Sequence, residues 1–275
     1  MEKHHGIVAE IIKVLLWIYS SFIVFILGYV IYHSLRPKEK ILSNTFGKPV
    51  DLSFDNFTKL IVDNGYFKYF GNSVLILGVS LFLLVMIASL TAYGIARYQF
   101  KFKKFVRIYF LIGLMFPVQL GIVPIFLLMS KLHLVDNMAS VILISAANIS
   151  MPVFMLTNFF ARLPAEIHEA ARIDGGGEWV IFHKIMFPMA KPVVMAVCIT
   201  ASVHIWNQFF LPLIFLQSEQ HKTVPLIITR YTAKLVSTID LAMAVSILST
   251  VPILLIFIFF STKIIDGVMS GGVKG

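Results

Sequence analysis

Six stretches of this chain carry no Asp, Glu, Lys or Arg over about 19 residues or more. They are residues 14–32, 69–96, 108–130, 138–161, 192–218 and 241–262. Each is long enough to cross about 30 Å of hydrocarbon as a helix. None shows the alternation of apolar and polar residues that is typical of a membrane-spanning strand. The pattern therefore predicts an all-α polytopic membrane protein with six transmembrane helices.

A charged stretch separates the fourth run from the fifth. Within residues 164–188 the charged side chains are Glu166, Glu169, Arg172, Asp174, Glu178 and Lys184. They recur too closely to leave an uncharged span, so we expect this segment to lie outside the hydrocarbon.

Local signals in the same segment predict a helix, a glycine turn and a second helix. Pro164 suits the first turn of a helix, and residues 165–173 are mostly good helix formers. Residues 175–177 are glycines and should end that helix. A second helix over 178–187 would place Trp179, Phe182 and Met186 on one side before Pro188 stops it. An ordinary polar linker is the alternative that composition alone leaves open.

Basic residues in short loops predict the orientation. Five of them crowd the connection between the second and third runs: Arg97, Lys101, Lys103, Lys104 and Arg107. The positive-inside rule places this loop in the cytoplasm, and alternation then places both termini and the 164–188 segment inside. The first run is too long for a cleavable signal, so it is expected to stay as an anchor. The expected organisation is an anchor helix over 1–35, an extracellular loop over 36–68, a core bundle over 69–265 and a cytoplasmic tail over 266–275.

Composition agrees with a membrane setting, since 58% of the residues are hydrophobic and 13% are charged. The net charge of +9 comes from basic residues that flank the apolar runs and form no continuous patch with aromatic side chains. This arrangement favours contact with anionic lipid over nucleic acid. The single cysteine, Cys198, lies within the fifth run and is interpreted as a packing residue. The eight histidines lack partners at ligand spacing, so no metal site is expected.

The chain shows no energy source of its own. Residues 267–272 have the glycine spacing of a phosphate-binding loop, but Val273 stands where lysine is required. None of the six runs contains the acidic or basic residue that a proton-coupled carrier usually buries, although sodium coupling through carbonyls and hydroxyls stays possible. Three hypotheses remain: a transport subunit driven by a separate ATPase, an ion-coupled secondary carrier, and a membrane scaffold or receptor.

Six polar residues inside the runs are candidates to line a transport pathway. They are Thr200, His204, Asn207 and Gln208 in the fifth run, Asn148 in the fourth and Gln119 in the third. The four in the fifth run are spaced to share one helix face, which should turn away from lipid into the bundle. Hydrogen bonding between helices is the structural alternative for each of them.

The 164–188 segment also resembles a known family. The order Glu169-Ala170-Ala171, Gly175, Ile185 and Pro188 is similar to the signature loop of bacterial ATP-binding-cassette importer permeases, with Phe187 where leucine is usual. Pieces outside the loop resemble the carbohydrate branch that includes the second membrane subunit of the maltose importer. These pieces are Asn72-Ser73, Ala92-Tyr93 with Arg97, Pro117 and Pro124, Ile173-Asp174-Gly175, Trp206-Asn207 with Phe209, and the terminal Gly271-Gly272-Val273-Lys274-Gly275.

This resemblance implies a type I importer permease fold in a bacterial cell membrane and a subunit that catalyses no reaction. The residues that would couple to the ATPase are Glu169, Ala170, Ala171, Asp174, Gly175 and Pro188. Gly271, Gly272, Val273 and Lys274 would reach the ATPase dimer as a tail, for which a frayed terminus is the alternative. Implied partners are a second homologous permease, two cytoplasmic ATPase subunits that bind the ATP and Mg²⁺, and an extracellular sugar-binding protein.

Overall fold

The computed structural model describes residues 2–48 and 52–272, and within them every regular element is a helix. The α-helices are α1 (Glu2–Ser34), α2 (Lys38–Ser43), α3 (Asp55–Thr58), α4 (Tyr66–Arg97), α5 (Lys103–Gly113), α6 (Ile122–Lys131), α7 (Met138–Ala146), α8 (Ser150–Arg162), α9 (Ala165–Ile173), α10 (Glu178–Ile181), α11 (Phe187–Met189), α12 (Lys191–Trp206), α13 (Phe210–Phe215), α14 (Val224–Thr232) and α15 (Leu235–Gly272). Two π-helical segments (Lys59–Asp63 and Phe182–Met186) and one 3₁₀ segment (Val118–Gly121) adjoin them. The prediction of an all-α protein is confirmed.

In the part of the chain that the structure describes, four helical stretches are long and apolar enough to cross a membrane without a sharp bend. They are Ala9–Ser34, Tyr66–Arg97, Met138–Arg162 and Val236–Ile258. Two further candidates are bent pairs. Lys103–Gly113 and Val118–Lys131 meet at 97°, and Glu178–Met189 and Lys191–Trp206 meet at 73°. Six spans result when each bent pair counts as one.

Prolines explain where the predicted continuous helices are interrupted. The third run is broken before Pro117, whose backbone is extended (φ −70°, ψ 136°). Proline lacks an N–H donor and disfavours the helical region for the residue before it. The fifth run is broken between Trp206 and Phe210, which puts Pro212 in the first turn of α13. Backbone N–H groups in a first turn have no acceptor within the helix, so proline loses no hydrogen bond there. Each of these two runs is therefore built from more than one helix.

Pro192 lies in the first turn of α12 for the same reason, whereas Pro188 lies in α11, which continues directly from the π-helical segment Phe182–Met186. Helical structure continues past Pro188 to Met189. The second helix of the charged segment therefore ends at Met189, which agrees with the expected stop at Pro188 to within one residue.

The apolar helices extend beyond the uncharged runs, and two of them then include a carboxylate. In Ala9–Ser34 it is the exposed Glu10, which pairs with Lys13 at 2.7 Å. The stretch Val236–Ile258 includes Asp240, which is 8% exposed. Thr238 interrupts the helical backbone (φ −136°, ψ 26°), so Asp240 lies in the first turn after the kink. Its Oδ1 accepts a hydrogen bond from the N–H of Leu241 at 2.9 Å. A carboxylate is favourable at such a helix start, so Asp240 has a structural explanation.

The chain divides into two compact units, one formed by Met1–Phe67 with Ile227–Val251 and one by Lys68–Leu226 with Pro252–Gly275. In the first unit, the buried Arg36 donates to the carbonyls of Lys40 and Asn44 at 3.1 and 3.0 Å. The amide of Asn56 donates to the carbonyls of Ser34 and Arg36, each at 2.9 Å. These bonds fix the chain after α1. The boundaries expected at residues 35, 68 and 265 stay predictions.

The second unit has two apolar clusters, and α4 contributes to both. The first joins α4, α8 and α12 to residues 171–190, and Leu156, Phe160 and Met186 are fully buried within it. The second joins α4 to α6, α7, α12 and α13 through residues such as Ile76 and Phe215. Because α4 packs in both clusters, a displacement of α4 at the first cluster is transmitted through packed side chains to the second cluster.

Asp136 fixes a loop of the second unit. Its Oδ1 accepts from the backbone N–H groups of Ser218 and Gln217 at 2.8 and 2.9 Å and from the Ser218 hydroxyl at 3.0 Å. These donors, chiefly the Ser218 N–H, lower the pKa of Asp136 to about 2. Farther along the loop, the N–H of Val224 donates to Ser73 Oγ on α4 at 2.9 Å. The connection between α13 and α14 is therefore ordered by side chains from two other segments.

Candidate functional site

Residues 165–189, called the hairpin below, contain the predicted helix, glycine turn and second helix. The first arm is α9, the turn covers residues 174–177, and the second arm is α10, the π-helical segment and α11. The prediction of this local structure is confirmed. A polar first arm, with apolar residues mainly in the second, lets the hairpin present one side to solvent while the other packs on the bundle.

Two glycines of the turn are needed for different reasons. Gly175 has a positive φ of +82°, which costs other residues free energy. Gly176 donates its N–H to the carbonyl of Ala171 at 2.9 Å, and a Cβ on Gly176 would lie 2.8 Å from that oxygen. A Cβ on Gly177 would meet no atom within 4 Å. The tightness of the turn thus depends on Gly175 and Gly176.

The buried face of the second arm differs in part from the expected one. Phe182 and Met186 are buried, at 4% and 0% exposure, but Trp179 is 61% exposed. Ile181, at 0% exposure, lies in the core instead. The segment Phe182–Met186 is π-helical, so the angular spacing of side chains departs from that of a regular α-helix. Trp179 still shares a side with Phe182, since their ring centroids are 5.9 Å apart, but it lies at the exposed edge of that side.

The outer side of the hairpin collects most of the predicted coupling residues. Glu169, Ala170, Asp174 and Gly175 are exposed, whereas Pro188 is half-buried. The side chain of Ile173 is 85% exposed beside them. Ala171 differs, since it is 9% exposed and packs in the first apolar cluster of its own chain. Glu169, Ile173 and Asp174 thus form one exposed group on the outer side of the hairpin.

Glu178 is the first residue of the second arm. Its carboxylate contacts polar side chains of α9, of α4 and of the segment just after α4. Its Oε2 accepts a hydrogen bond from Tyr93 Oη of α4 at 3.1 Å and one from Tyr98 Oη, which follows α4. His168 Nε2 lies 3.1 Å from the same oxygen, and Arg172 Nε lies 3.9 Å from Oε1. The sequence indicated Glu178 only as one charge among several, because its tyrosine partners lie 85 and 80 residues away.

This environment keeps the carboxylate ionised. The hydrogen bond from Tyr98 is the largest cause that lowers the pKa of Glu178, and the bonds from His168 and Tyr93 act in the same direction. Burial and the neighbouring carboxylate raise the pKa of Tyr98, so that its hydroxyl keeps its proton and donates. Glu178 is therefore an anion with neutral and basic donors around it.

A cavity of about 790 Å³ lies elsewhere in the second unit and brings four of the six predicted pathway residues together. Gln119, Asn148, His204 and Gln208 all line it. They come from the 3₁₀ segment, the α7–α8 connection, the end of α12 and the turn after it. Its volume falls in the range that small-molecule sites occupy.

Thr200 and Asn207 are not among the residues that line this cavity. Thr200 Oγ1 donates to the carbonyls of Ala196 and Val197 in its own helix, at 3.0 and 3.1 Å. Asn207 Nδ2 donates to the carbonyl of Val203 at 3.0 Å. Since α12 ends at Trp206, the single helix face expected for the four fifth-run residues is interrupted there.

The cavity lining is uncharged. Among the described residues that line it, none is Asp, Glu, Lys or Arg, and the polar groups are amides, one imidazole and the hydroxyls of Ser145 and Ser150. Ser145 Oγ is buried and has no hydrogen-bond partner in the described part of the chain. The remaining lining residues are mostly aliphatic or aromatic. Such a surface suits a neutral, hydroxyl-bearing molecule better than an ion.

The predicted tail is only partly within the described residues. Gly271 and Gly272 are the last residues of α15. Val273 and Lys274 lie outside the described residues.

Comparison with known proteins assigns the architecture. Residues 84–270 match the family described as binding-protein-dependent transport system inner membrane component. Among curated proteins, the arabinooligosaccharides transport system permease protein AraQ of Halalkalibacterium halodurans is 36% identical over 97% of this chain and 98% of its own. The diacetylchitobiose uptake system permease protein NgcG of Streptomyces coelicolor is 33% identical over 96% of this chain and 88% of its own.

A solved structure supports the fold independently. A chain in the crystal structure of a bacterial ABC transporter involved in the import of the acidic polysaccharide alginate superposes with a TM-score of 0.81. The two chains are 19% identical, and the match covers 93% of this chain and 96% of the other. The chain therefore has the fold of an ABC importer permease.

The geometry of the turn predicts unequal effects of two neighbouring substitutions. Gly176→Ala should destabilise the hairpin by about 1–3 kcal/mol, because its Cβ would overlap the Ala171 carbonyl. Gly177→Ala should change stability by less than about 0.5 kcal/mol. Hydrogen exchange of residues 171–181 in the detergent-solubilised protein measures both. Equal protection in the two variants would contradict the turn geometry.

Proposed function

The chain belongs to the family of binding-protein-dependent transport system inner membrane components, and from this premise we propose that it forms half of the pathway of an ATP-driven importer for neutral sugars. The observation that carries the proposal is the hairpin, which is ordered against the bundle on one side and exposes Glu169, Ile173 and Asp174 on the other. A transport subunit without a nucleotide site of its own needs such a surface to bind the separate ATPase that drives transport.

In this proposal the hairpin docks on a separate cytoplasmic ATPase, which binds ATP and Mg²⁺. Glu169 offers a carboxylate to a basic residue there, Ala170 permits close backbone approach, and Ile173 supplies an apolar contact. Ala171 contributes from inside, since its small side chain lets α9 pack closely on the first cluster. Closure of the ATPase dimer around ATP would then displace the hairpin as a rigid body and switch the access of the pathway.

The remaining partners follow from the same proposal. A second homologous permease completes the pathway, and two ATPase subunits serve the two permeases. An extracellular binding protein delivers the sugar to the side opposite the hairpin. Both termini lie in the cytoplasm of a bacterial cell, and Gly271, Gly272, Val273 and Lys274 extend toward the ATPase dimer. The subunit itself catalyses no reaction.

The uncharged cavity supports a neutral sugar as the transported molecule. Gln119, Asn148, His204 and Gln208 can each donate to and accept from sugar hydroxyls. An acidic sugar would require a compensating cation, and the described lining residues include no Lys or Arg. The relatives AraQ and NgcG are named for arabinooligosaccharides and diacetylchitobiose, which are uncharged.

An ion-coupled secondary carrier is not favoured. Two apolar stretches include a carboxylate: Glu10 is exposed and pairs with Lys13, and Asp240 lies in a helix start where its carboxylate accepts from Leu241 N–H. A proton-coupling residue would be expected at a substrate site near the middle of the membrane.

The coupling role predicts that transport can be separated from ATP hydrolysis. Glu169→Ala combined with Gly175→Pro removes the exposed carboxylate and forces φ near −65° at a residue that needs +82°. In proteoliposomes that contain all partner subunits, uptake of the sugar retained by the binding protein should fall at least about tenfold while ATP hydrolysis continues.

The matched control is Glu166→Ala combined with Gly177→Ala. Glu166 is exposed on the same arm, and a Cβ at Gly177 is unobstructed. This control should transport sugar like the parent protein. Normal uptake in the Glu169/Gly175 variant would refute the coupling role of the hairpin.

The cavity makes a separate prediction about affinity. His204→Ala and Gln208→Ala each remove a lining hydrogen-bond group and should raise the sugar concentration for half-maximal uptake by about three- to tenfold. Thr200→Val removes a hydroxyl that bonds to its own helix and should leave that concentration unchanged. Uptake measured over a range of sugar concentrations gives this value for each of the three variants. If all three behave like the parent, the cavity does not hold the sugar.

A further inference from the structure

Glu178 connects three parts of the chain through one carboxylate. Its partners are Tyr93 within α4, Tyr98 just after α4, and His168 with Arg172 on α9. Glu178 itself begins α10. The two arms of the hairpin are thus joined to each other and to one end of α4 by a single charged group.

The strength of these contacts is unequal. Arg172 is 3.9 Å away and largely exposed, so its ion pair contributes little. Tyr93 and His168 are better shielded, since Tyr93 is 5% exposed and the His168 side chain is 14% exposed. Hydrogen bonds to an ionised acceptor are stronger than those between neutral groups. The tyrosines and the histidine therefore make the main connection.

Apolar packing beneath the carboxylate holds the donors in place. The Tyr93 ring lies 5.2 Å from the Phe182 ring and 5.9 Å from the Phe160 ring, measured between centroids. It also lies 6.0 Å from the Tyr98 ring and 6.4 Å from the His168 ring. The side chains that bind Glu178 consequently pack on one another as well, which leaves little freedom for the hairpin to move without α4.

Helix α4 then leads to the cavity. It has 32 residues, which corresponds to about 48 Å. Ile76, in its other half, packs in the second cluster with Met129, Ile144 and Leu211. Those three residues line the cavity. A displacement of the α4 end near the hairpin thus has a continuous packed route to the cavity wall.

We propose that Glu178 is a positioning residue that makes the hairpin and α4 move as one body, so that the ATPase and the sugar pathway respond to each other. The inference rests on the proposed function. It adds a specific transmission element, distinct from the exposed surface that would touch the ATPase.

The test uses the complete complex of both permeases and the ATPase subunits in nanodiscs, with the purified binding protein carrying the sugar that it retains. Two quantities are measured per assembled complex: basal ATP hydrolysis, and its stimulation by the binding protein. Stimulation requires a signal to cross the permeases, whereas basal hydrolysis does not. Glu178→Gln keeps the size of the side chain but removes the charge that lets one oxygen accept from several donors.

Glu178→Gln should assemble and hydrolyse ATP at the basal rate, while stimulation by the binding protein falls at least about fivefold. Tyr98→Phe removes one donor without changing the ring and should lower stimulation in the same direction. The double variant should lose less than the product of the two single effects, because both disrupt one contact. Glu166→Gln, an exposed carboxylate on α9, should match the parent.

The outcomes separate the two proposals. If the parent complex is stimulated and Glu178→Gln is stimulated equally, the positioning role is overturned while the proposed function stands. If Glu178→Gln loses assembly and basal hydrolysis in proportion to stimulation, Glu178 only supports the fold and the positioning role is again overturned. If the parent complex itself forms no ATPase assembly and shows no stimulation, the proposed function fails and this inference fails with it.

Discussion

The requirement that backbone N–H and C=O groups be paired in apolar surroundings determines most of this structure. It makes every regular element in the described ranges 2–48 and 52–272 helical. Proline then decides where helices stop, because it has no N–H to offer. The bend before Pro117 and the restart before Pro212 both follow from this property, and both place non-helical backbone beside the cavity that Gln119 and Gln208 line. In membrane proteins such backbone is tolerated where it borders a cavity or is buried in protein.

The same structure indicates how a movement of the hairpin is transmitted to that cavity. The apolar residues of the hairpin lie mainly on its second arm, so the hairpin is held partly by packing of Phe182 and Met186 and partly by polar contacts at Glu178. Polar contacts depend on geometry more steeply than apolar ones, and a carboxylate with several donors favours one arrangement. The arrangement ties the hairpin to α4, the helix that enters both apolar clusters. Rigid connection of this kind suits a subunit that transmits movement made elsewhere.

Local sequence signals were sufficient for features that depend on neighbours in the chain. The helix-turn-helix at 165–189 follows from helix formers, glycines and prolines, and the apolar runs locate the helical stretches. Features that depend on distant residues were not predictable. The tyrosine partners of Glu178 lie on α4 and just after it, 85 and 80 residues away in the chain. Of the six pathway candidates, the four that share the cavity come from different segments that only the fold brings together.

The central claim is that the exposed side of the hairpin contacts an ATPase. A photo-crosslinking residue at Ile173, which is 85% exposed at the hairpin tip, measures this in the intact cell membrane. The same residue at Leu120, 72% exposed in the 3₁₀ segment within the third apolar run, is the control. We expect light-dependent crosslinks from position 173 to an ATPase subunit and none from position 120. Crosslinks from position 173 to lipid alone, with no ATPase adduct, would contradict the account.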